Sequence, residues 1–193
     1  MARTKDFDED EVLLKAMNLF WLKGYNGTSM QDLVDGLGIS RSSLYDTYGD
    51  KHALFIRSLE NYKRISTERF DKIGRETSSA RDAIRKVLEY TISELIKDKD
   101  HKGCFLVNAA VEMAPHDKEV NDMLCQNDRQ MGEYFYETIK KGQENGEITN
   151  VQDARVLAQF LLNGIKGIRV TSKSVTDKKL FNDLINLTMS VLG

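Results

Sequence analysis

Proline is almost missing from this chain: Pro115 is the one example in 193 residues. Without breakers, long stretches rich in Leu, Ala, Glu, Lys and Arg run on, which favours an all-α protein over a turn-rich β architecture. Cysteine is scarce as well. Cys104 and Cys125 are too few for a disulfide framework and fit a reducing compartment. No apolar run reaches the roughly 18–20 residues that cross a bilayer. The opening "MARTKDFDEDEV" is not followed by an apolar signal core of about 7–15 residues. The expectation is a cytoplasmic location and no membrane contact. An excess of positive charge is also absent, since 28 Lys and Arg face 30 Asp and Glu for a net charge of −2. No bulk field draws the chain to nucleic acid, so any such contact has to rest on a few groups placed on one face. Enzyme signatures are missing too: there is no G-x-S-x-G, no Walker loop and no H-E-x-x-H. His101, Cys104, His116 and Cys125 match no common zinc spacing. The expectation is therefore a protein that is not an enzyme and carries no metal or other cofactor.

What is present is helical patterning in a chain of ordinary globular balance, 40% apolar and 30% charged. Leu13, Ala16, Met17 and Phe20 recur at i, i+3, i+4 and i+7. Asp8, Glu9, Asp10 and Glu11 crowd the first turn, where the helix dipole favours negative charge. The spacing predicts a helix over 8–23, ended by Gly24. "TSMQ" reads as a capping box, Thr28 with Gln31, opening a short helix striped with Met30, Leu33, Val34 and Leu37. Gly38 supplies the next turn, and Ser40 caps a third helix over 40–48. At about 100° per residue, Leu44 and Tyr48 share one face of it, and Ser42, Ser43 and Asp46 the other. Gly49 closes that helix, and Asp50 caps a fourth over 50–73.

Two short helices joined by a tight glycine turn, following a longer one, make a helix-turn-helix pattern. In that motif the amino-terminal end of the second short helix enters the major groove. Small hydroxyls there permit close approach, and an arginine reaches guanine O6 and N7 or a phosphate. The competing reading is a solvated helical hairpin whose polar face meets only water.

The stretch "VLLKAMNLFWLKGYNGTSMQDLVDGLGISRSSLYDTYGDKHALF", residues 12–55, closely resembles the DNA-binding domain of TetR-family transcriptional regulators. The resemblance is carried by Phe20, the "KGY" turn with Thr28 after it, and the "S-x-x-x-L-Y-x-x-Y" helix followed by Lys51. It implies a DNA-binding domain over 1–50 and a ligand-binding and dimerisation domain over 51–193, with helix 4 running between them. It further implies that Thr28, Tyr45 and Lys51 meet phosphates and that Ser40, Arg41, Ser42 and Ser43 face the groove, with Thr47 on the same helix. Tyr48 stands where the family has phenylalanine and reads as core. Asp46 departs from the pattern, being a carboxylate close to the expected phosphate backbone. The implied partners are a palindromic operator in double-stranded DNA, a small-molecule effector and a second copy of the chain. The implied activity is a ligand-released repressor. A helical ligand-binding or interaction protein that contacts no DNA is the alternative.

Beyond residue 73, "GRETSSARDA" is the clearest break, with Ser78 or Ser79 capping a fifth helix that points Ile84, Val87, Leu88, Thr91 and Leu95 inward. "GCFLVNAAVEMAP" predicts a buried sixth helix ended by Pro115, and helices follow over about 117–143, 152–172 and 177–192. Phe70, Phe105, Met123, Met131, Tyr134 and Phe135 are candidate ligand contacts, because methionine and aromatic side chains line adaptable cavities. The same stripes also serve ordinary core packing. Asn108, an amide in an apolar segment, is the more pointed candidate, since a buried amide needs partners. Cys104 follows Gly103 and Lys102 at the predicted start of helix 6, where dipole and ammonium both favour a thiolate. It is a candidate redox sensor or a buried, inert thiol. Phe160, Leu161, Gly164, Ile165 and Ile168 on helix 8, with Leu184, Leu187 and Val191 on helix 9, either form the dimer interface that the resemblance implies or cover the monomer core.

Overall fold

The computed structural model describes residues 7–193. The first six residues of the expected 1–50 domain lie outside that range. Among the described residues there are nine helices and no strand: α1 (Glu9–Lys23), α2 (Met30–Leu37), α3 (Arg41–Tyr48), α4 (Lys51–Arg75), α5 (Ala80–Lys97), α6 (Phe105–Glu112), α7 (Lys118–Glu144), α8 (Ala154–Thr171) and α9 (Lys178–Ser190). The all-α expectation holds, Ser40, Asp50 and one of the pair Ser78 and Ser79 cap helices as expected, and Asp8, expected in the first turn of α1, caps that helix instead. The Asp8, Ser40, Asp50 and Ser79 side chains all accept from backbone amides of the first turn, satisfying donors that a helix start leaves orphaned.

The second helix starts differently from the expected Thr28–Gln31 box. Its cap is Ser29, whose hydroxyl accepts from the Asp32 amide while the Asp32 carboxylate accepts from the Ser29 amide. Thr28 sits one residue outside, fully buried, and donates its hydroxyl to the Gly24 carbonyl at 2.6 Å. Gly38 then turns the chain at φ 69°, a left-handed conformation that suits glycine.

Two hydrophobic cores result, and they do not divide at residue 50. One gathers Phe20, Leu33, Leu44 and Phe55 from α1–α4 together with Phe105, Leu106 and Ala109 of α6 and Leu124 of α7. The other joins Phe70 at the far end of α4 to α5, the second half of α7, α8 and α9. Helix α4 takes part in both cores, and α7 does as well. Phe20, Tyr25, Phe55, Phe105 and Tyr62 form a run of ring contacts 4.9–6.3 Å apart that ties α1 through α4 to α6.

Two polar contacts join the same elements. The Glu112 carboxylate, at the end of α6, accepts from the Tyr25 amide at 3.0 Å and the Asn26 amide at 2.8 Å. Gly24, at φ 78°, allows this approach, because a Cβ there would stand 2.7 Å from a Glu112 oxygen. The His52 imidazole, in the first turn of α4, pairs with the Asp117 cap of α7 at 2.7 Å. The Val120 amide, followed by His52, holds the Asp117 carboxyl below its ordinary pKa.

Helices α8 and α9 each carry two apolar faces. Leu157, Leu161, Ile165 and Ile168 of α8, with Phe181, Ile185 and Met189 of α9, fill the second core. On the outside, Val156, Phe160, Val170 and Leu187 are 46–66% exposed. Replacing Glu112 by alanine leaves the Tyr25 and Asn26 amides without their acceptor. We expect it to lower stability by about 1–3 kcal/mol, read as a fall in the urea midpoint with an unchanged slope.

Candidate nucleic-acid interface and ligand cavity

Helix α3 presents small polar groups because its two large residues are committed inward. Leu44 is fully buried and Tyr48 nearly so, and the Tyr48 hydroxyl donates to the Glu9 carbonyl of α1 at 3.0 Å. Burial raises the Tyr48 phenol pKa, so it stays a neutral donor. The family's phenylalanine position is thus filled by a core residue with one added tether. The opposite end of α3 is open. Ser40, Arg41 and Ser42 are exposed and Ser43 half-exposed. The Ser40 Oγ lies 2.9 Å from both the Ser42 and the Ser43 Oγ, so three hydroxyls form one cluster at the helix start. The Arg41 guanidinium lies 5.9 Å from the centre of the exposed Tyr45 ring, which holds the two side chains together.

Lys51 occupies the first turn of α4, where a cation opposes the helix dipole. Its ammonium rests 4.3 Å from the Tyr25 ring centre, a contact that offsets part of that cost. Arg57, one and a half turns further on, lies over Tyr48 at 5.0 Å and donates to the Thr47 carbonyl at 3.3 Å. Thr47 itself is half-exposed. Ser40 to Ser43, Tyr45, Thr47 and Lys51 therefore all reach the surface on or beside α3.

Thr28 does not. The expected phosphate contact is corrected here: its hydroxyl is buried and bonded to Gly24. The exposed hydroxyl at the start of α2 is Ser29. Sequence reasoning missed Ser29 and Arg57. The acid three residues after Ser29, Asp32, marks the true cap, and the Lys23 ammonium and Ser29 hold that carboxyl far below its usual range. Asp46 is exposed and pairs with neither Arg41, which lies over Tyr45, nor His52, which pairs with Asp117.

The candidate ligand residues separate. A cavity of about 220 Å³ opens between α4, α6, α7 and α8, and Phe70 and Met131 line it. The others do not. Phe105 is buried among Phe55 and Tyr62, and Met123 packs against the first core. Phe135 is fully buried in the second core, and Tyr134 faces Gly74 in a separate shallow cleft. Asn108 turns away from the cavity: its amide donates to the Lys102 carbonyl at 2.9 Å and accepts from the Lys173 ammonium at 3.2 Å. The rotation of α6 decides this, and composition does not reveal rotation. Leu106, Val107, Ala110 and Val111 of α6 line the cavity instead.

Cys104 caps α6 without a side-chain bond and is 1% exposed. It receives the Tyr62 hydroxyl at 3.6 Å and borders a second cavity of about 210 Å³. The expected ammonium support is not there, since Lys102 Nζ lies over Trp21 and faces Asp98 and Asp100 at 3.9 Å. Among the candidate dimer residues, Leu161, Ile165 and Ile168 are corrected to monomer core. Phe160, Leu184, Leu187 and Val191 keep exposed or half-exposed surface, and a Cβ on Gly164 would meet open space.

Comparison with known proteins finds two family matches along the chain. Residues 12–57 match the family model described as bacterial regulatory proteins, tetR family. Residues 80–187 match the tetracyclin repressor-like C-terminal domain. The chain is 32% identical to the HTH-type transcriptional regulator YezE of Bacillus subtilis over the whole of both chains. It is 30% identical to the HTH-type transcriptional repressor ComR of Escherichia coli, over 89% of this chain and 82% of that one. Among solved structures, a cysteine-substituted form of the TetR family regulator CifR, complexed with 26-bp double-strand operator DNA, superposes over both full chains with a TM-score of 0.89 at 26% identity.

The Thr28 geometry makes a direct prediction. Thr28→Val keeps the shape and removes the hydroxyl, and should lower stability by about 1 kcal/mol in urea denaturation. An outward-facing hydroxyl would give no change.

Proposed function

The chain belongs to the TetR family of regulatory proteins, and from that premise we propose a ligand-released, homodimeric repressor that binds a palindromic operator. It is a DNA-binding transcriptional regulator. The observation that carries the finer reading is the exposed start of α3, where Ser40, Arg41, Ser42 and Ser43 project from a helix held inward by Leu44 and Tyr48. Arg41 reads base edges, the hydroxyls beside it allow close approach, and Ser29, Tyr45 and Lys51 grip phosphates. Thr47 contacts the same groove wall. The operator-bound relative at 26% identity supports the DNA-binding reading. The family membership speaks against an enzyme. No helix among the described residues is long and apolar enough to cross a membrane, and we read the protein as cytoplasmic.

Two half-sites about 34 Å apart require two recognition helices. The surface that supplies the second copy is the outer face of α8 and α9, where Phe160, Leu184, Leu187 and Val191 flank Gly164 and Gly167. Added Cβ atoms on both glycines would meet open space, so a partner helix has room to approach closely. The effector occupies the cavity walled by α6. Its entry shifts α6, and Glu112 carries that shift to the α1–α2 turn, changing the spacing of the two α3 helices. DNA and effector then oppose each other by linkage. Cys104, sealed under Tyr62, is read as a packing residue and not as the sensor.

A binding-site selection with the purified chain tests the regulator reading, and failure of every duplex to bind above background at low salt would favour the non-DNA alternative. On a selected duplex, Arg41→Ala should cost about 1–3 kcal/mol and relax preference at one position. Lys51→Ala should weaken all duplexes alike and reduce the salt slope by about 1. Leu187→Glu should shift the dimer to monomer in light scattering while leaving the fold intact, because Leu187 is 66% exposed.

A further inference from the structure

Arg169 is a half-buried cation of α8 with no acidic partner among the described residues. It is half-buried near the end of α8 and lines both cavities, the one between α4, α6, α7 and α8 and the one beside Cys104. Among the described residues its guanidinium has no hydrogen-bond acceptor and no ion pair. The carboxylates around it are matched by other groups. In the first cavity Asp128 is held by the Lys166 ammonium at 2.5 Å. In the second, Glu94 pairs with Lys97 at 3.0 Å. Asp98 accepts from the Lys102 and Gly103 amides at 2.6 and 3.2 Å, with the Lys102 ammonium 3.9 Å away. Arg69 is exposed and lies over Tyr90. Tyr62 donates to Cys104. The first cavity is thus apolar along Leu106, Val107, Leu124, Leu162 and Ile165 and carries a single uncompensated positive charge.

A guanidinium taken partly out of water without an acceptor is costly, and five N–H groups in a planar fork match a carboxylate two at a time. At about 220 Å³ the cavity lies below the ~300 Å³ at which pockets for drug-sized ligands begin, so its occupant is compact. We propose that this cavity binds a small monocarboxylate with an apolar body, the head group on Arg169 and the body against the α6 and α8 side chains. Ser66 borders the same two cavities and makes no hydrogen bond to the described residues, which leaves its hydroxyl available to the same head group. The proposal rests on the reading of this cavity as the effector site and deepens it by naming the ligand class.

Calorimetry on the full chain tests it, with octanoate and benzoate as probes and octanamide and benzamide as neutral counterparts. The carboxylates should bind more tightly than the amides by roughly tenfold or more. Arg169→Gln should remove that difference while leaving the amides unaffected, Arg169→Lys should keep part of it, and Ala110→Phe, which fills the cavity, should abolish all binding. Circular dichroism melts confirm that each variant is folded. Equal binding of acids and amides, unchanged carboxylate affinity in Arg169→Gln, full binding in Ala110→Phe, or no carboxylate binding at all would each overturn the proposal. A separate arm measures duplex affinity with and without octanoate. Binding that depends on Arg169 but leaves duplex affinity unchanged would support the ligand assignment and remove the effector reading.

Discussion

The bond on which the arrangement turns is the pair of backbone amides, Tyr25 and Asn26, donating to the Glu112 carboxylate. Helix α6 is only eight residues long, too short to stand without tertiary support. It lies between the helix-turn-helix and the cavity, with Phe105 and Ala109 in the core shared with α1–α4 and Val107 and Ala110 at the cavity wall. The carboxylate fixes the end of this helix to the turn that orients α2 and α3. Gly24 is what permits the distance. A side chain there would occupy the space of the carboxylate oxygens.

Helices α8 and α9 face the converse constraint, since each is apolar on two sides. The inner faces, with Phe181, Ile185 and Met189 on α9, complete the second core. On the outer faces Leu184 and Val191 pack partly against that core, while Phe160 and Leu187 stay exposed to solvent. Scattered exposed apolar residues are ordinary, but exposed apolar residues repeating at helical spacing on two helices invite a cover. On the proposed reading a second copy supplies it, and Gly164 and Gly167 of α8, with no neighbour beyond them, let the backbones approach.

Local features of this fold were legible in the sequence, and rotations were not. Caps at Ser40 and Asp50, a cap at Ser78 or Ser79, and the inward set Ile84, Val87, Leu88, Thr91 and Leu95 follow from the sequence, and the structure puts caps at Ser40, Asp50 and Ser79 and buries that set. Thr28 and Ser29 are adjacent hydroxyls, and a shift of one residue decides which caps α2 and which is buried. Helix α9 has two apolar stripes a residue apart. The obvious stripe Leu180, Leu184 and Leu187 is the outer one, while the stripe from Phe181 is the core. Asn108 looked like a pocket residue because its segment is apolar, yet it serves the segment linking α5 to α6 and Lys173 beyond α8. Glu112 carried no local signal, as its partners lie 86 and 87 residues earlier in the chain.

The near-neutral charge of the chain also changes meaning once the geometry is known. Arg41, Lys51 and Arg57 each lie over an aromatic ring, Tyr45, Tyr25 and Tyr48 in turn. Rings that hold cationic side chains near one orientation reduce the rotamer entropy lost when each meets a phosphate or a base. On the proposed reading, a surface with few positive charges then serves by pre-placing them. Any ligand that moves Leu106 or Leu124, which belong both to the cavity wall and to the first core, disturbs the same packing that sets those rings. A ligand shifts the DNA-bound population only as far as its contacts differ between the two arrangements. On the proposed reading, these two leucines carry such a difference from the cavity wall into the core that α3 packs on.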